Sequence, residues 1–300
     1  MLSRFFSTSQ PFHYLMGMLL LSLGSLLLLV FMESQWKWEF LIYAVFLPSS
    51  LLLVQFIIVK NELTGQNSFG LFATTMLLLT MVIAGVSWQM ILCLFLLLLS
   101  LRRLLSLKKG TESIRKIFDG SFWISIAILV NPLMVVFIIV VFVAVFLFAR
   151  NKWNHWVIPF LAMACVGLLT YTAEVYMDYE LLSSLWDPTL YDLSFLWNVW
   201  APIKTVYWLL ALAGVIGLLI YIIKLVDIQQ RVRPRFSVLV FSGICALAVT
   251  VLLQSYFIVL LVPALSIFLV RSIEVIRHKI GRELLFILPV LLMVLALLLR

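Results

Sequence analysis

The side chains best suited to chemistry are carboxylates in one polar segment, residues 174–204. Glu174 and Asp178 stand four positions apart, so on a helix they lie on one face. Two carboxylates in that arrangement can share a divalent ion, or divide the work of a general acid and a general base. The spacing makes this pair a candidate catalytic site.

The same segment offers a candidate ligand-binding surface. Asp187 and Asp192 lie among aromatic residues that include Trp197 and Trp200. Acidic groups beside aromatic rings suit a sugar, or the headgroup of a lipid-linked molecule at a membrane surface. The alternative is that this segment has no catalytic or binding role. In that case the carboxylates are simply tolerated in an outward loop, and the tryptophans anchor an amphipathic segment at the membrane–water interface.

Glu33 and Glu39 form a second acidic candidate, in the gap between the first two apolar runs. Membrane glycosyltransferases that use polyprenyl-phosphate donors commonly place an acidic residue in the corresponding outward loop. Such enzymes also need larger outward loops than this one to bind two substrates, which argues against catalysis here.

Histidine and cysteine predict neither a metal site nor a disulfide framework. His13, His155 and His278 lie far apart in the sequence, in the flanks of the apolar runs. Their spacing does not predict a cluster of metal ligands. The cysteines each sit in a different apolar run without a second Cys or His nearby: Cys93, Cys165 and Cys245. We therefore predict no metal and no cofactor.

Long apolar runs must position all of these residues. Hydrophobic residues make up 65% of the chain and charged residues 11%, a composition that needs lipid as solvent. In hydrocarbon every backbone N–H and C=O is paired internally, and runs without strict alternation predict helices rather than a barrel. We predict an all-α polytopic transmembrane helical bundle in one domain, residues 1–300, with about eleven spans near 15–32, 40–59, 69–85, 88–101, 118–131, 133–149, 157–174, 204–223, 237–253, 256–270 and 284–299.

The distribution of cations predicts the orientation of the bundle. Eighteen of the 21 Lys and Arg residues fall in alternate gaps between the apolar runs, and cytoplasmic loops are the ones enriched in these residues. The N-terminus is therefore predicted to be cytoplasmic, with only Lys37, Lys204 and Arg300 facing outward. This bias accounts for the sequence pI near 9.5, so we predict no nucleic-acid partner.

The apolar stretch 118–149 fits either one long tilted helix or a hairpin. Basic residues flank both of its ends, which places both ends on the cytoplasmic side and predicts a hairpin. Its turn falls at Asn131-Pro132, since proline removes a helix donor and asparagine tolerates turn geometry. The same argument splits the stretch 237–270 at Gln254-Ser255.

No Asp, Glu, Lys or Arg falls at mid-depth in the predicted spans. Ion-coupled transporters and voltage sensors place ionisable groups there, so such a function is disfavoured, although carbonyl and hydroxyl oxygens can also bind sodium. The polar residues at mid-depth are predicted to be interhelical hydrogen-bond partners or turn residues: Gln55, Asn131, Thr170 and Gln254.

Three stretches carry a family resemblance: KNELTGQNSFG at 60–70, LRRLLSLKKG at 101–110 with KIFDGSFWISIAILVNP at 116–132, and NKWNHWVIPFL at 151–161. The chain resembles an uncharacterised family of polytopic inner-membrane proteins of diderm bacteria that have roughly its own length. The resemblance implies an inner-membrane location and brings no established activity or site residues. Some members carry a beta-carotene monooxygenase label, but a non-haem iron centre needs clustered histidines, and those of this chain are scattered.

These observations favour a non-enzymatic inner-membrane protein of envelope biogenesis. It would act as a membrane subunit, or as a binder or translocator of a lipid or lipid-linked substrate, with membrane lipids and other membrane proteins as partners. A polyprenyl-phosphate-dependent glycosyltransferase or polymerase is the first alternative, and a solute transporter is the second. Single substitution of the outward carboxylates separates the first two classes, since only the enzyme depends on one of them.

Overall fold

The structure, a computed structural model, describes residues 5–6, 8–33, 37–107, 113–149, 153–177, 205–224, 232–252, 255–276 and 279–298. Within these ranges the chain is all-helical, as predicted, and contains no strand. The α-helices are α1 (Pro11–Glu33), α2 (Glu39–Asn61), α3 (Phe69–Ile83), α4 (Trp88–Leu104), α5 (Ser113–Val130), α6 (Ile138–Ala149), α7 (Asn154–Met177), α8 (Thr205–Lys224), α9 (Arg233–Leu252), α10 (Val262–Val275) and α11 (Lys279–Leu298). The 3₁₀ segments Pro132–Phe137 and Ser255–Leu261 lead into α6 and α10.

Seven helical stretches among the described residues are long and apolar enough to cross a membrane. They are Pro11–Phe31, Glu39–Asn61, Pro132–Ala149, Asn154–Tyr176, Arg233–Thr250, Phe257–Val275 and Gly281–Leu298. Large apolar side chains on their outer faces are exposed, up to 87% for Phe31 and 76% for Leu298. A surface so apolar suits hydrocarbon rather than water, as expected of a membrane protein.

Helix α3 lies at the centre of the bundle. It is only 15 residues long, and every side chain except Met76 is buried. A helix that is apolar on all sides is stable only when it is surrounded, and α1, α2, α10 and α11 all pack against it. At 1.5 Å per residue its length is about 22 Å, less than the hydrocarbon thickness of a bilayer.

The stretch 118–149 forms the predicted hairpin. The helix α5 ends at Val130, and the Asn131 side chain then accepts a hydrogen bond from the Leu133 amide at the start of the 3₁₀ segment. The imidazole of His155 hydrogen-bonds the Ser113 hydroxyl at 3.0 Å and the Ala149 carbonyl oxygen at 2.8 Å. The first residue of α5 and the last residue of α6 therefore lie at the same end of the bundle.

The stretch 237–270 also turns back on itself. Arg235, early in α9, donates a hydrogen bond to the carbonyl oxygen of Asn61, and Glu274, late in α10, accepts one from the amide of Gly65. One end of this stretch thus meets the last residue of α2 and the other end meets the loop that follows it, residues 62–68. We call the end of the bundle that holds this loop the Ser68 end.

The opposite end, which we call the Trp88 end, is held by the turn between α3 and α4. Gly85 has φ 78, a backbone conformation that favours glycine and allows this turn to be short. The hydroxyl of Tyr43 donates to the carbonyl oxygen of Val86 at 2.6 Å, and the indoles of Trp38 and Trp88 lie 6.0 Å apart. Residues that the cation pattern predicts to face outward therefore meet at this end.

The predicted roles of the mid-depth polar residues are met in part. The Asn131 side chain caps the turn as predicted, whereas the Thr170 hydroxyl donates to the Val166 carbonyl of its own helix. Gln55 is buried, and its Oε1 has no hydrogen-bond partner among the described residues, so its predicted interhelical hydrogen bond stays a prediction. Gln254 lies outside the described residues.

Candidate functional site

Two of the predicted acidic residues lie on described helices with their side chains. Glu39 is the first residue of α2 and is partly buried, and a carboxylate there is favoured by the positive end of the helix dipole. Glu174 lies in the last turn of α7 and is also partly buried. The remaining predicted site residues lie outside the described residues, or in one case have an undescribed side chain: Asp178, Asp187, Asp192, Trp197, Trp200 and, for the side chain, Glu33. The acidic catalytic and ligand-binding sites therefore stay predictions.

A carboxylate that sequence analysis did not single out organises the Ser68 end. Glu274 Oε1 accepts hydrogen bonds from the Gly65 backbone amide and from Asn67 Nδ2, both at 2.7 Å. Its Oε2 accepts from Arg271 Nη1 at 3.0 Å. All three bonds are made to an ionised acceptor, which makes them stronger than neutral ones, and they fix the loop to the end of α10.

Arg235 ties the end of α2, just before this loop, to α9. The residue is only 9% exposed, and its Nη1 donates to the carbonyl oxygen of Asn61, the last residue of α2, at 2.9 Å. The last carbonyls of a helix lack intrahelical partners and carry partial negative charge. A guanidinium at this position therefore satisfies an orphan acceptor and matches the helix dipole.

His13 ties the start of α1 to the loop. Its Nδ1 lies 3.0 Å from the Ser68 hydroxyl, which also donates to the Thr8 carbonyl oxygen at 3.2 Å. A hydroxyl has one hydrogen, so this pattern makes His13 Nδ1 the donor. The other ring nitrogen, Nε2, is buried near the rings of Phe5 and Phe6 and has no hydrogen-bond partner among the described residues.

Aromatic rings close the gap between α1, α3 and α11 at the Ser68 end. Phe286 of α11 stacks on Phe72 of α3 with ring centroids 4.5 Å apart and planes 7° apart. Phe6, which precedes α1, lies 4.8 Å from Phe72 and 5.8 Å from Phe286. All three rings are buried, so they fill space between these helices at this level.

The same three helices leave a groove of about 680 Å³ toward the Trp88 end. Its floor is made by Leu79 and Ile83 of α3, which are buried, and its walls include Leu27 and Phe31 of α1 and Leu297 of α11. Every described lining residue is apolar or glycine, and the groove is open along its length to the outer surface of the bundle. The volume of the groove is in the range of small-molecule sites. The side chains of its described lining residues, however, carry no group that could hydrogen-bond a ligand.

The described residues contain no group of three or more His, Cys, Asp or Glu side chains that could hold a metal ion. Several polar contacts of these residues join the ends of helices and the loops next to them. The only sequence signal for the cluster around Glu274 is the polar loop that begins the resemblance, residues 60–70, and nothing in the sequence pairs that loop with α9 or α10.

Comparisons of the chain with protein-family models, with curated proteins and with solved structures give no match.

Proposed function

We propose that this chain is a non-enzymatic integral membrane protein that binds the hydrocarbon chain of a lipid or lipid-linked molecule in the groove between α1, α3 and α11. The observation that carries the proposal is the groove itself, which is apolar throughout and opens toward lipid. Water in such a groove would have no side-chain hydrogen-bond partner, whereas a hydrocarbon chain gives up no hydrogen bond by entering it.

The shape of the groove favours a chain over a compact apolar ligand. Phe6, Phe72 and Phe286 close the space between the three helices at the Ser68 end, so the groove is a blind slot that begins near Leu79 and opens toward Phe31. A lipid with its headgroup at the Trp88 end would lay one acyl or prenyl chain along this slot. Exposed walls, such as Leu27 at 71%, let the chain enter sideways from the bilayer.

The wider setting belongs to the same proposal. The chain would cross the bilayer about eleven times with a cytoplasmic N-terminus, so the Ser68 end faces the cytoplasm and the groove opens to the outer leaflet. The loop resemblance supports the inner membrane of a diderm bacterium and a part in envelope biogenesis. Other membrane proteins remain expected partners, because several helices are short for an independent span.

A photo-reactive lipid tests the groove directly. The full chain is reconstituted in phosphatidylcholine vesicles with a trace of phosphatidylcholine that carries a diazirine on one acyl chain, irradiated, digested and mapped by mass spectrometry. We expect the peptides with Leu27, Phe31 and Leu297 to be labelled severalfold more than those with Leu168 and Leu284, which are similarly exposed at 66% and 64%.

A matched pair of variants assigns the labelling to the groove. Gly24→Leu places a side chain in the groove, since a Cβ there meets Leu79 Cδ2 at 3.6 Å, an ordinary contact. Gly167→Leu makes the same chemical change in α7, where nothing lies within 4 Å of a Cβ. Only Gly24→Leu should abolish the excess labelling. Equal labelling of all exposed leucines, or an unchanged excess in Gly24→Leu, would show that the groove holds no lipid chain.

A further inference from the structure

A second surface, far from the groove, brings two cations to one aromatic ring. Lys60 Nζ lies 5.1 Å from the centroid of the Phe56 ring, and Arg102 Cζ lies 4.7 Å from the same centroid. Lys60 and Phe56 belong to the last turns of α2, and Arg102 belongs to the last turn of α4. No more than about 10 Å therefore separates the two positive charges.

Among the described residues, neither Lys60 nor Arg102 has a carboxylate partner, although the adjacent Arg103 does. Arg103 forms a salt bridge to Asp119 at 3.1 Å, which neutralises it, whereas the contacts of Lys60 and Arg102 are to the Phe56 ring. Two unneutralised like charges repel at this distance, and the repulsion grows in the low dielectric of a membrane interface. An anion placed between them would remove that cost.

The cations are also not needed to cap their own helices. At the end of α2 the carbonyl oxygens of Ile58 and Val59 accept from the amides of Leu63 and Glu62, and that of Asn61 accepts from Arg235. At the end of α4 the carbonyl oxygens of residues 101, 103 and 104 accept from amides of residues 105, 106 and 107. The capping role usual for Lys and Arg at a helix C-terminus is thus already filled.

The ring and the cations face lipid together. Phe56 is 40% exposed on the outer surface of the bundle, near the Ser68 end. A guanidinium or ammonium group that lies over a ring keeps N–H donors directed away from it, and these suit phosphate oxygens. Lys60 is exposed and Arg102 is partly exposed, so a headgroup can reach both.

We propose that Lys60, Arg102 and Phe56 form a binding site for the phosphate of an anionic phospholipid in the leaflet at the Ser68 end. The phosphate bridges the two cations, and the first carbons of an acyl chain lie against the Phe56 ring. This site differs from the groove in its helices, in its end of the bundle and in its chemistry, because it selects a headgroup charge rather than a hydrocarbon chain.

Native mass spectrometry of the full chain in mild detergent tests the site. Dioleoyl phosphatidylglycerol is titrated in the presence of excess dioleoyl phosphatidylcholine, which occupies sites that recognise only acyl chains. We expect tight binding of one phosphatidylglycerol. Lys60→Gln and Arg102→Gln should each weaken it by about fivefold, the effect of one cation near an anionic headgroup. Lys60→Arg and Arg102→Lys keep the charge and should bind nearly as the parent chain does.

Control variants distinguish binding at this site from nonspecific attraction of an anionic lipid to the many cations of the Ser68 end. Arg115→Gln removes an equally exposed charge from the start of α5, and Phe146→Leu removes an exposed ring from α6. Both should bind the lipid normally, whereas Phe56→Leu should weaken it. If Arg115→Gln weakens binding as much as Lys60→Gln does, no discrete site exists. If glycerol phosphate displaces the lipid at equal concentration, the ligand is a free phosphate compound and the lipid assignment is wrong.

Discussion

Replacement of Glu274 is the sharpest test of the polar cluster at the Ser68 end. Glu274→Ala removes the acceptor for the Gly65 amide, for Asn67 Nδ2 and for Arg271 Nη1. Glu274→Gln keeps an oxygen for the first two donors and loses the charge that attracts Arg271. The loop between α2 and α3 should therefore loosen from α10 in the alanine variant and stay largely in place in the glutamine variant.

The partial exposure of the cluster sets the size of the effect. Hydrogen bonds to a charged group contribute ~1.5–3 kcal/mol each when buried. Here the Gly65 amide is exposed and the Arg271 side chain is 37% exposed, so water replaces part of what is lost. We expect Glu274→Ala to lower the free energy of unfolding by about 2–3 kcal/mol. Glu274→Gln should cost ~1 kcal/mol, since an ion pair whose arginine is 37% exposed contributes little.

The chain's own cysteines report the unfolding. Cys93 and Cys245 are buried and Cys165 is partly buried, so a maleimide dye that fluoresces on reaction with thiols follows their exposure during heating in detergent. The melting temperature should fall by about 5 °C in Glu274→Ala and by about 2 °C in Glu274→Gln. Glu62→Gln is the matched control, because it removes one charge from an exposed position of the same loop.

Two outcomes would refute this reasoning. A Glu274→Ala variant as stable as the parent chain would mean that the three hydrogen bonds add nothing beyond what water supplies. An equal loss in Glu274→Gln and Glu274→Ala would mean that the charge, not the geometry of the acceptor, holds the loop.

Two further predictions use the same unfolding assay. Arg235→Met leaves the buried Asn61 carbonyl oxygen without its donor and should cost about 2 kcal/mol, of which Arg235→Lys should recover at least part by keeping a cation there. Full stability of Arg235→Met would show that the capping bond is dispensable. Glu62 has φ 54 at the C-terminal cap of α2, so Glu62→Gly should relieve strain and raise stability by about 0.5–1 kcal/mol, whereas Glu62→Ala should bring no such gain. A destabilised glycine variant would contradict that account.

The cation pattern predicted which parts of this chain meet. Lys and Arg are costly inside hydrocarbon, so their positions divide the sequence into ends of helices before any packing is known. The hairpin at Asn131-Pro132 followed from that division, and His155 joins its two ends through Ser113 and Ala149. Local turn chemistry supplied the position of the break, because Asn131 caps the segment that Pro132 begins.

The clusters at the Ser68 end could not be predicted in the same way. Gly65 and Glu274 lie 209 positions apart, and their hydrogen bond exists only because α3 and α10 pack side by side. The groove is equally hidden, because Gly24, Leu79 and Leu297 belong to three separate apolar runs whose residues look alike in sequence. Hydropathy finds the helices, but it does not tell which apolar face meets protein and which meets lipid.

The distribution of satisfied and unsatisfied groups in the described part of the chain favours binding over catalysis. The carboxylate of Glu274 and the guanidinium of Arg235 are engaged by the backbone and by neighbouring side chains, so neither is free to act as an acid or base. The surfaces that are not engaged are an apolar groove and a pair of cations beside Phe56. One matches the tail of a lipid and the other matches a headgroup, at opposite ends of the bundle. The groove lies between α1, α3 and α11 and the cation pair on α2 and α4, so substitutions can change each of them separately because they share no helix.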